Sequence, residues 1–448
     1  MANRIKIKKG LNIPLLGESE ETLRGTVTSK FVRICPEDFA GITPKLTVKV
    51  DDRVKAGNAL FFAKNHPEVL FASPVSGVVT EIVRGKKRRI LSVVIKSDEK
   101  IEYVDFGVKN VASLSADEVK KSILDAGLWP LIKQRPYDVV AVPDKQVRDI
   151  FITGFDSSPL APSYDFILKG KESDLQTGLD ALAKLTTGKV YLNISTKTKS
   201  ESLRNAKNVV VTEFDGPHPA GNVGVQINSI KPINRGETVF TLSALDVIII
   251  GRLFNKGITD LTRLVALCGS EVKQTGFYEM LIGTELTSIF KNNVTEGISL
   301  RYISGNPLTG QKIEENGVLR AFSSQITVIP EGDDIHEALG WASFSPKRYS
   351  AGQTYLKLKN KYRLDARLMG GPRAIIVSNE YDKVFPFDIF PEQLIKATLA
   401  FNIEKMEKLG IYEVAPEDFA LCEFVDTSKL ELQRIMRTGL DLLRKEME

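Results

Sequence analysis

Hydrophobic period changes three times along this chain, which no single layered domain accommodates. Over the first hundred residues apolar and polar positions alternate, as in Arg4-Ile5-Lys6-Ile7-Lys8 and in Leu46-Thr47-Val48-Lys49-Val50 before a turn at Asp51-Asp52; this predicts short strands. From about 106 to 257, helical and strand periods alternate. Ser115-Ala116-Asp117-Glu118 has the form of a capping box, opening a helix that buries Val119, Ile123 and Leu124 and that Gly127 closes. Residues 137–142 and 149–152 read as buried strands. Ser173 opens a second helix with Leu175, Leu179, Leu182 and Leu185 on one stripe, and after Gly188 comes a strand over 190–194. Repeated strand and helix of this kind predict a Rossmann-like α/β domain with a parallel sheet. From 258 to 330, short strands such as 277–280 and 325–329 return. The remainder is mixed and mainly helical: Pro391 stands where an N1 proline opens a helix bearing Leu394, Ile395 and Leu399 and ending at Gly410, and a last helix carries Leu432, Ile435 and Met436. Four domains follow: 1–105, 106–257, 258–330 and 331–448.

Within the first, Asp52-Arg53-Val54-Lys55-Ala56-Gly57-Asn58-Ala59-Leu60 precedes Ala72-Ser73-Pro74-Val75-Ser76-Gly77-Val78-Val79. These two turns resemble those of lipoyl and biotinyl carriers, and so imply a barrel-sandwich β domain. Matching them places Pro67 at the exposed hairpin tip where a carrier has its lysine, with Lys64 three residues early and His66 as a turn residue. The swinging-arm reading therefore fails at this position.

The 448 residues, 42% hydrophobic and 26% charged, have ordinary globular composition. Sixty-one basic residues against 56 acidic leave a formal charge of +5, too small an excess for a nucleic-acid partner without a basic stripe or reading module. The densest basic run, Arg84-Gly85-Lys86-Lys87-Arg88-Arg89, reads as a solvated hairpin tip; contact with anionic lipid is the sharper alternative, at about 1 kcal/mol per residue. Cys35, Cys268 and Cys422 are far apart and fit a reducing cytoplasm. The basic start is broken by Asn12 and Pro14, unlike a signal peptide, and the longest apolar run, Val247-Ile248-Ile249-Ile250, is too short for a transmembrane segment.

Cofactor chemistry leaves few traces. No G-x-G-x-x-G occurs in the α/β segment. The loop Asp215-Gly216-Pro217-His218-Pro219-Ala220-Gly221-Asn222-Val223-Gly224 follows a strand, so it reads either as a vestigial nucleotide loop offering backbone N–H groups to a phosphate or as a tight crossover turn. His66, His218 and His336 lack metal-ligand spacing with one another or with cysteine, so no metal is expected. Cys422 alone cannot hold an iron–sulfur cluster and reads as a small buried hydrophobe. No catalytic nucleophile or dyad stands out.

Five runs carry a more specific signal: Phe31-Val32-Arg33-Ile34-Cys35-Pro36-Glu37-Asp38-Phe39, the loop 216–222, Gly370-Gly371-Pro372-Arg373-Ala374, Val384-Phe385-Pro386-Phe387-Asp388-Ile389-Phe390-Pro391-Glu392-Gln393-Leu394, and Pro416-Glu417-Asp418-Phe419-Ala420-Leu421-Cys422-Glu423-Phe424-Val425. Together they resemble the A-subunit family of sodium-translocating NADH:quinone reductases, which is related to the flavin-bearing subunit of complex I and the C subunit of the Rnf complex. The resemblance implies a β-grasp, soluble-ligand-binding module at 258–330 with Leu281-Ile282-Gly283-Thr284-Glu285-Leu286 as its turn. It also implies a C-terminal region that has lost cluster cysteines, Asp426 standing near one such place.

By the same resemblance, the complex oxidises NADH, reduces ubiquinone or menaquinone and exports sodium. FAD, FMN, riboflavin and a [2Fe-2S] centre lie in partner subunits, and this subunit holds no tight redox cofactor and is inactive alone. It is peripheral on the cytoplasmic face of the bacterial inner membrane, against other subunits and especially an integral membrane one. Phe31, Arg33, Pro36 and Phe39, with Trp129, Arg135 and Pro136, are the implied quinone-binding residues. A quinone head group needs an apolar slot and one or two donors, which these types supply; core packing explains Phe31, Phe39 and Trp129 equally well. Both segments are expected to line one cleft with exposed arginines, and Cys35 to be a thiol of open reactivity. A free-standing FMN-dependent NADH dehydrogenase and a purely structural assembly subunit stay open as alternatives.

Overall fold

The computed structural model describes residues 3–333, 348–352, 359–368 and 370–447. His336 lies outside them. The chain is a multidomain α/β protein with an N-terminal barrel-sandwich, further sheets and a helical C-terminal region.

In the barrel-sandwich, a four-stranded sheet (Phe31–Ile34, Ile90–Ser97, Gly77–Arg84, Arg53–Val54) faces a three-stranded one (Pro44–Leu46, Ala59–Ala63, His66–Ala72). Buried Val32, Leu60, Phe61, Phe71, Val79, Val93 and Ile95 from these two sheets belong to one apolar core. The strand expected at 46–50 ends at Leu46. The hairpin tip also differs from expectation: a register shift between Phe62 and Ala63 brings Ala63 opposite His66, so Lys64 and Asn65 make the turn and Pro67 lies in the following strand. The positional argument against a carrier lysine therefore falls. Exposed Arg84, Lys86, Lys87, Arg88 and Arg89 form the tip of the next hairpin, as expected.

Two early strands leave the segment grouped as 1–105. Asn3–Lys6 pairs parallel with Val210–Asp215 at the edge of a seven-stranded sheet, and Leu23–Val27 pairs with Gly276–Leu281 in a six-stranded one. Local period revealed the first of these strands but not the second; their partners, about 210 and 250 residues away, lie beyond any local signal.

The seven-stranded sheet runs Asn3–Lys6, Val210–Asp215, Val190–Ser195, Asp149–Thr153 and Val239–Ser243 in parallel, then Lys133–Arg135 and Val139–Val140 antiparallel. Of the strand expected at 137–142 only those last two residues form. Ser115 and Glu118 make the full capping box ahead of Ala116–Asp125. The helix expected from Ser173 spans Glu172–Ala183 and packs against Ala244–Lys256, whose Val247–Ile250 core continues straight through Gly251 and Arg252.

The six-stranded sheet orders Gln311–Ile313, Leu300–Ser304, Gln325–Pro330, Thr262–Cys268, Gly276–Leu281 and Leu23–Val27. The helix expected over 391–410 breaks at Ala400 into Pro391–Leu399 and Ile403–Lys408. With Glu380–Val384, Ala420–Val425 and Leu432–Met447 these enclose an apolar core of Phe385, Leu394, Met406, Phe419, Leu440 and Leu443. Among the described residues no helix is long and apolar enough to cross a membrane.

Candidate functional site

The segment 31–39 is a strand followed by one helical turn, held at the seam with the six-stranded module. Arg33 N–H donates to Gly283 O at 3.0 Å, so the strand adds onto the 281–286 turn. Glu37 and Asp38 both take Arg320: its Nη2 is 2.8 Å from Glu37 Oε1 and its Nε 2.6 Å from Asp38 Oδ1, while Ala321 N–H donates to Asp38 Oδ2. Burial raises the Asp38 carboxyl against the pull of Arg320, and the hydrogen bonds from Arg320 and Gln311 hold Glu37 low despite its own partial desolvation. Cys35 is buried and desolvation pushes its thiol up to about 11, which favours the protonated thiol over the thiolate.

Phe39, half-buried, packs edge-on to Phe71 at 4.7 Å and to Phe322 at 5.7 Å between centroids. The other face of the contact comes from the second segment: Lys133 Nζ lies 4.5 Å from the Phe322 centroid. Residues 31–39 and 129–136 therefore meet through Phe322, a turn residue ahead of the strand Gln325–Pro330 that sequence reasoning passed over because nothing local distinguishes it from other loop aromatics. Val140 N–H donating to Ala40 O adds a backbone tie between the same regions.

Within the second segment the expected exposure is corrected. Trp129 is enclosed, its Nε1–H donating to Ala141 O at 2.8 Å and its ring edge-on to Phe240. Arg135 is 0% exposed, its guanidinium split between Asp418 (2.9 Å) and Glu417 (2.7 Å), and Pro136 is buried behind it. The partners of Arg135 lie in the helical C-terminal region, so this arginine fastens that region to the seven-stranded sheet. Phe31 is half-buried beneath Lys30, Arg33 is exposed and Pro36 is buried at the first position of its turn.

The loop 215–224 packs inward. Asp215 ends its strand and pairs with Arg4, Gly216 lies against Ile7, and Asn12 accepts the His218 N–H. His218 Nδ1 lies 3.0 Å from Ser157 Oγ, which also accepts the Gly221 N–H, and burial drives the imidazole down to about 4. Gln226 Nε2 bonds the carbonyls of Ala220 and Gly221. Asn222 caps the following helix without a side-chain bond, and a Cβ on Gly224 would sit 2.6 Å from Asp418 and 2.7 Å from Arg135. The amide of Gly221 is thus spent inside the protein, which favours a crossover turn over a phosphate cradle. Among the described residues no group of three or more His, Cys, Asp or Glu is placed to hold a metal. Cys422 is buried as expected, and Asp426, 2% exposed, accepts from Tyr381 Oη, Ser428 N and Leu430 N.

A barrel-sandwich, a largely parallel α/β sheet and a further six-stranded sheet define a modular, multidomain α/β protein, and family models match each module in turn. They are the NqrA N-terminal barrel-sandwich hybrid domain at 5–98, the NqrA second alpha/beta domain at 114–259 and the NQRA C-terminal domain at 264–315. Relatives named as the A subunit of Na(+)-translocating NADH-quinone reductase, from Neisseria meningitidis serogroup A, Pasteurella multocida and Haemophilus influenzae strain PittGG, are 35%, 34% and 33% identical, each over 99% of this chain and all of the relative. The chain belongs to the A-subunit family of Na(+)-translocating NADH-quinone reductases.

Proposed function

We propose that this chain is the peripheral A subunit of a sodium-exporting NADH:quinone oxidoreductase, seated on the cytoplasmic face of the bacterial inner membrane against an integral membrane subunit. Its share of the work is quinone docking without a tightly held redox cofactor; FAD, FMN, riboflavin and the [2Fe-2S] centre belong to its partners. The α/β domain is read as Rossmann-like and the six-stranded module as β-grasp, with domain limits near 105, 257 and 330.

One observation carries the docking role: Phe39, Phe322 and Lys133 put two half-buried rings and a cation in contact at the meeting of three domains. A quinone ring stacks on such an aromatic face, and an ammonium supplies the donor its carbonyl oxygen needs. Phe31 and Arg33 remain in the proposed set, Pro36 shapes the turn beneath them, and Trp129, Arg135 and Pro136 act as scaffold. The test is labelling of the assembled complex with a photoreactive ubiquinone analogue and mapping of the modified peptides. Label on 31–39 and on the peptide holding Phe322 is expected; label confined to 215–224 overturns the assignment. The isolated chain is expected to be colourless and inactive with NADH, and stoichiometric flavin surviving gel filtration returns the FMN-dependent reading.

A further inference from the structure

The hairpin that joins Gly77–Arg84 to Ile90–Ser97 turns through residues 85–89, and with Arg84 it gathers five cations and no anion in six residues. The whole chain has 61 basic against 56 acidic residues, so this one turn holds a charge equal to the entire surplus and the rest of the chain balances to zero. Arg84, Lys86, Lys87, Arg88 and Arg89 are all exposed. Arg84 Nη1 donates to Arg88 O at 3.3 Å, and Arg89 reaches Glu37 only at 4.0 Å. Lys86, Lys87 and Arg88 make no side-chain hydrogen bond or ion pair among the described residues. Lys87 and Arg88 also take left-handed backbone, at φ 54° and 58°, where glycine or asparagine sits with less strain. Like charges crowded on a strained turn weaken the hairpin, so the reason for them lies outside the chain. Leu91, 36% exposed, lies over Gly85 and puts an apolar side chain beside the cations.

We propose that this tip docks on anionic lipid head groups. A layer of phosphodiesters supplies dense negative charge without a fixed shape, which suits long, unpaired cationic side chains on an exposed turn. Leu91 beside them suits the boundary between head groups and acyl chains. An acidic protein surface would call for oriented pairs such as Arg320 makes with Glu37 and Asp38, and the tip presents none. A nucleic acid would call for stacking aromatics or a reading module, and residues 84–91 contain no aromatic side chain. Which membrane supplies the lipid rests on the seat proposed above, whereas vesicle binding belongs to the chain itself and is measured without the complex. The tip shares no residue with the proposed quinone contact.

Flotation of the full chain with vesicles of phosphatidylcholine alone, and of phosphatidylcholine mixed with phosphatidylglycerol, tests the proposal. Binding to the mixed vesicles only is expected, and it should fall steeply as salt rises and screens the charges. Lys86→Gln, Lys87→Gln and Arg88→Gln combined should weaken it by about tenfold or more with an unchanged melting temperature. Lys169→Gln, Lys291→Gln and Lys445→Gln combined remove the same charge from exposed sites elsewhere and should float like wild type. Lys86→Arg, Lys87→Arg and Arg88→Lys combined keep the charge and should keep the binding. Equal flotation on both kinds of vesicle overturns the proposal, as does equal flotation of wild type and the tip glutamine variant, or an equal loss in the scattered variant. Tighter binding of duplex RNA or polyglutamate at the same salt, abolished by the tip glutamines, assigns the tip to another polyanion and overturns it too. Should the triple tip variant lose its thermal transition, Lys86→Gln with Arg89→Gln is judged by the same criterion.

Discussion

Arg135 Nη1 stands 2.9 Å from Asp418 Oδ2 with neither side chain open to solvent, which couples the antiparallel edge of the seven-stranded sheet to the C-terminal helices. Glu417 takes the second arm of the guanidinium at 2.7 Å, and burial raises both carboxyls against the pull of Arg135. Removing Arg135 leaves the fully buried Asp418 carboxylate, and the partly exposed Glu417 beside it, without their counter-charge. Arg135→Ala is therefore expected to cost roughly 3–5 kcal/mol, the penalty for an uncompensated buried charge, and urea unfolding with a far-UV signal measures it. A midpoint equal to wild type contradicts the fastening role.

His218 gives stability a pH slope. Its imidazole is held neutral by burial, with its folded value near 4 against an ordinary 6.5, so between those limits the unfolded chain binds the extra proton. Stability should then fall as pH drops from about 6.5 toward 4, by about 3 kcal/mol at most from this group. His218→Gln, which keeps a polar atom near Ser157, should flatten that part of the profile. Equal slopes for the two proteins between pH 6.5 and 4.5 would dismiss the assignment.

What the sequence disclosed is what is local. Ser115 and Glu118 lie three apart and cap one another, so the box was visible without knowing the fold. Pro391 needed only its fixed backbone angle and missing N–H to mark a helix start. Arg135 shows the opposite case: an arginine reads as solvated until Glu417 and Asp418, some 282 residues later, are seen around it. Phe39 and Lys133 lie in two segments that the sequence had marked, while Phe322, which joins them, lies in a turn that no local pattern set apart.

Gly178 and Gly251 fix how closely the two helices behind the sheet approach. A Cβ on Gly178 would fall 2.2 Å from Val247 O, and one on Gly251 would fall 1.8 Å from Asp174 O, both backbone atoms that cannot swing aside. Although alanine favours a helix by about 1 kcal/mol over glycine, the clash should dominate here. Gly178→Ala and Gly251→Ala are each expected to destabilise by about 1–3 kcal/mol or more as the helices separate. Gly371→Ala, with nothing within 4 Å of its Cβ and no left-handed backbone to strain, is the control for glycine loss without a clash. A gain in melting temperature from either helix variant would refute the close approach.

Lys133, Phe322 and Phe39 separate ligand contact from scaffold if the quinone docks where proposed. A cation over an aromatic face contributes about 0.5–1 kcal/mol at a partly exposed site, so Lys133→Gln should change thermal stability little. Its loss should nonetheless remove a donor from the quinone and lower photolabelling of the assembled complex several-fold. Phe322→Leu keeps apolar volume but loses the stacking face, and is expected to act in the same direction. Arg33, exposed and tied to Gly283 only through its backbone, should tolerate Arg33→Ala with an unchanged melting curve and weaker quinone binding. Arg135→Ala differs in kind, because it lowers stability first and labelling only as a consequence. The decisive comparison is therefore labelling per folded molecule: if Lys133→Gln, Phe322→Leu and Arg33→Ala all label like wild type on that basis, the aromatic contact is packing and the quinone binds elsewhere.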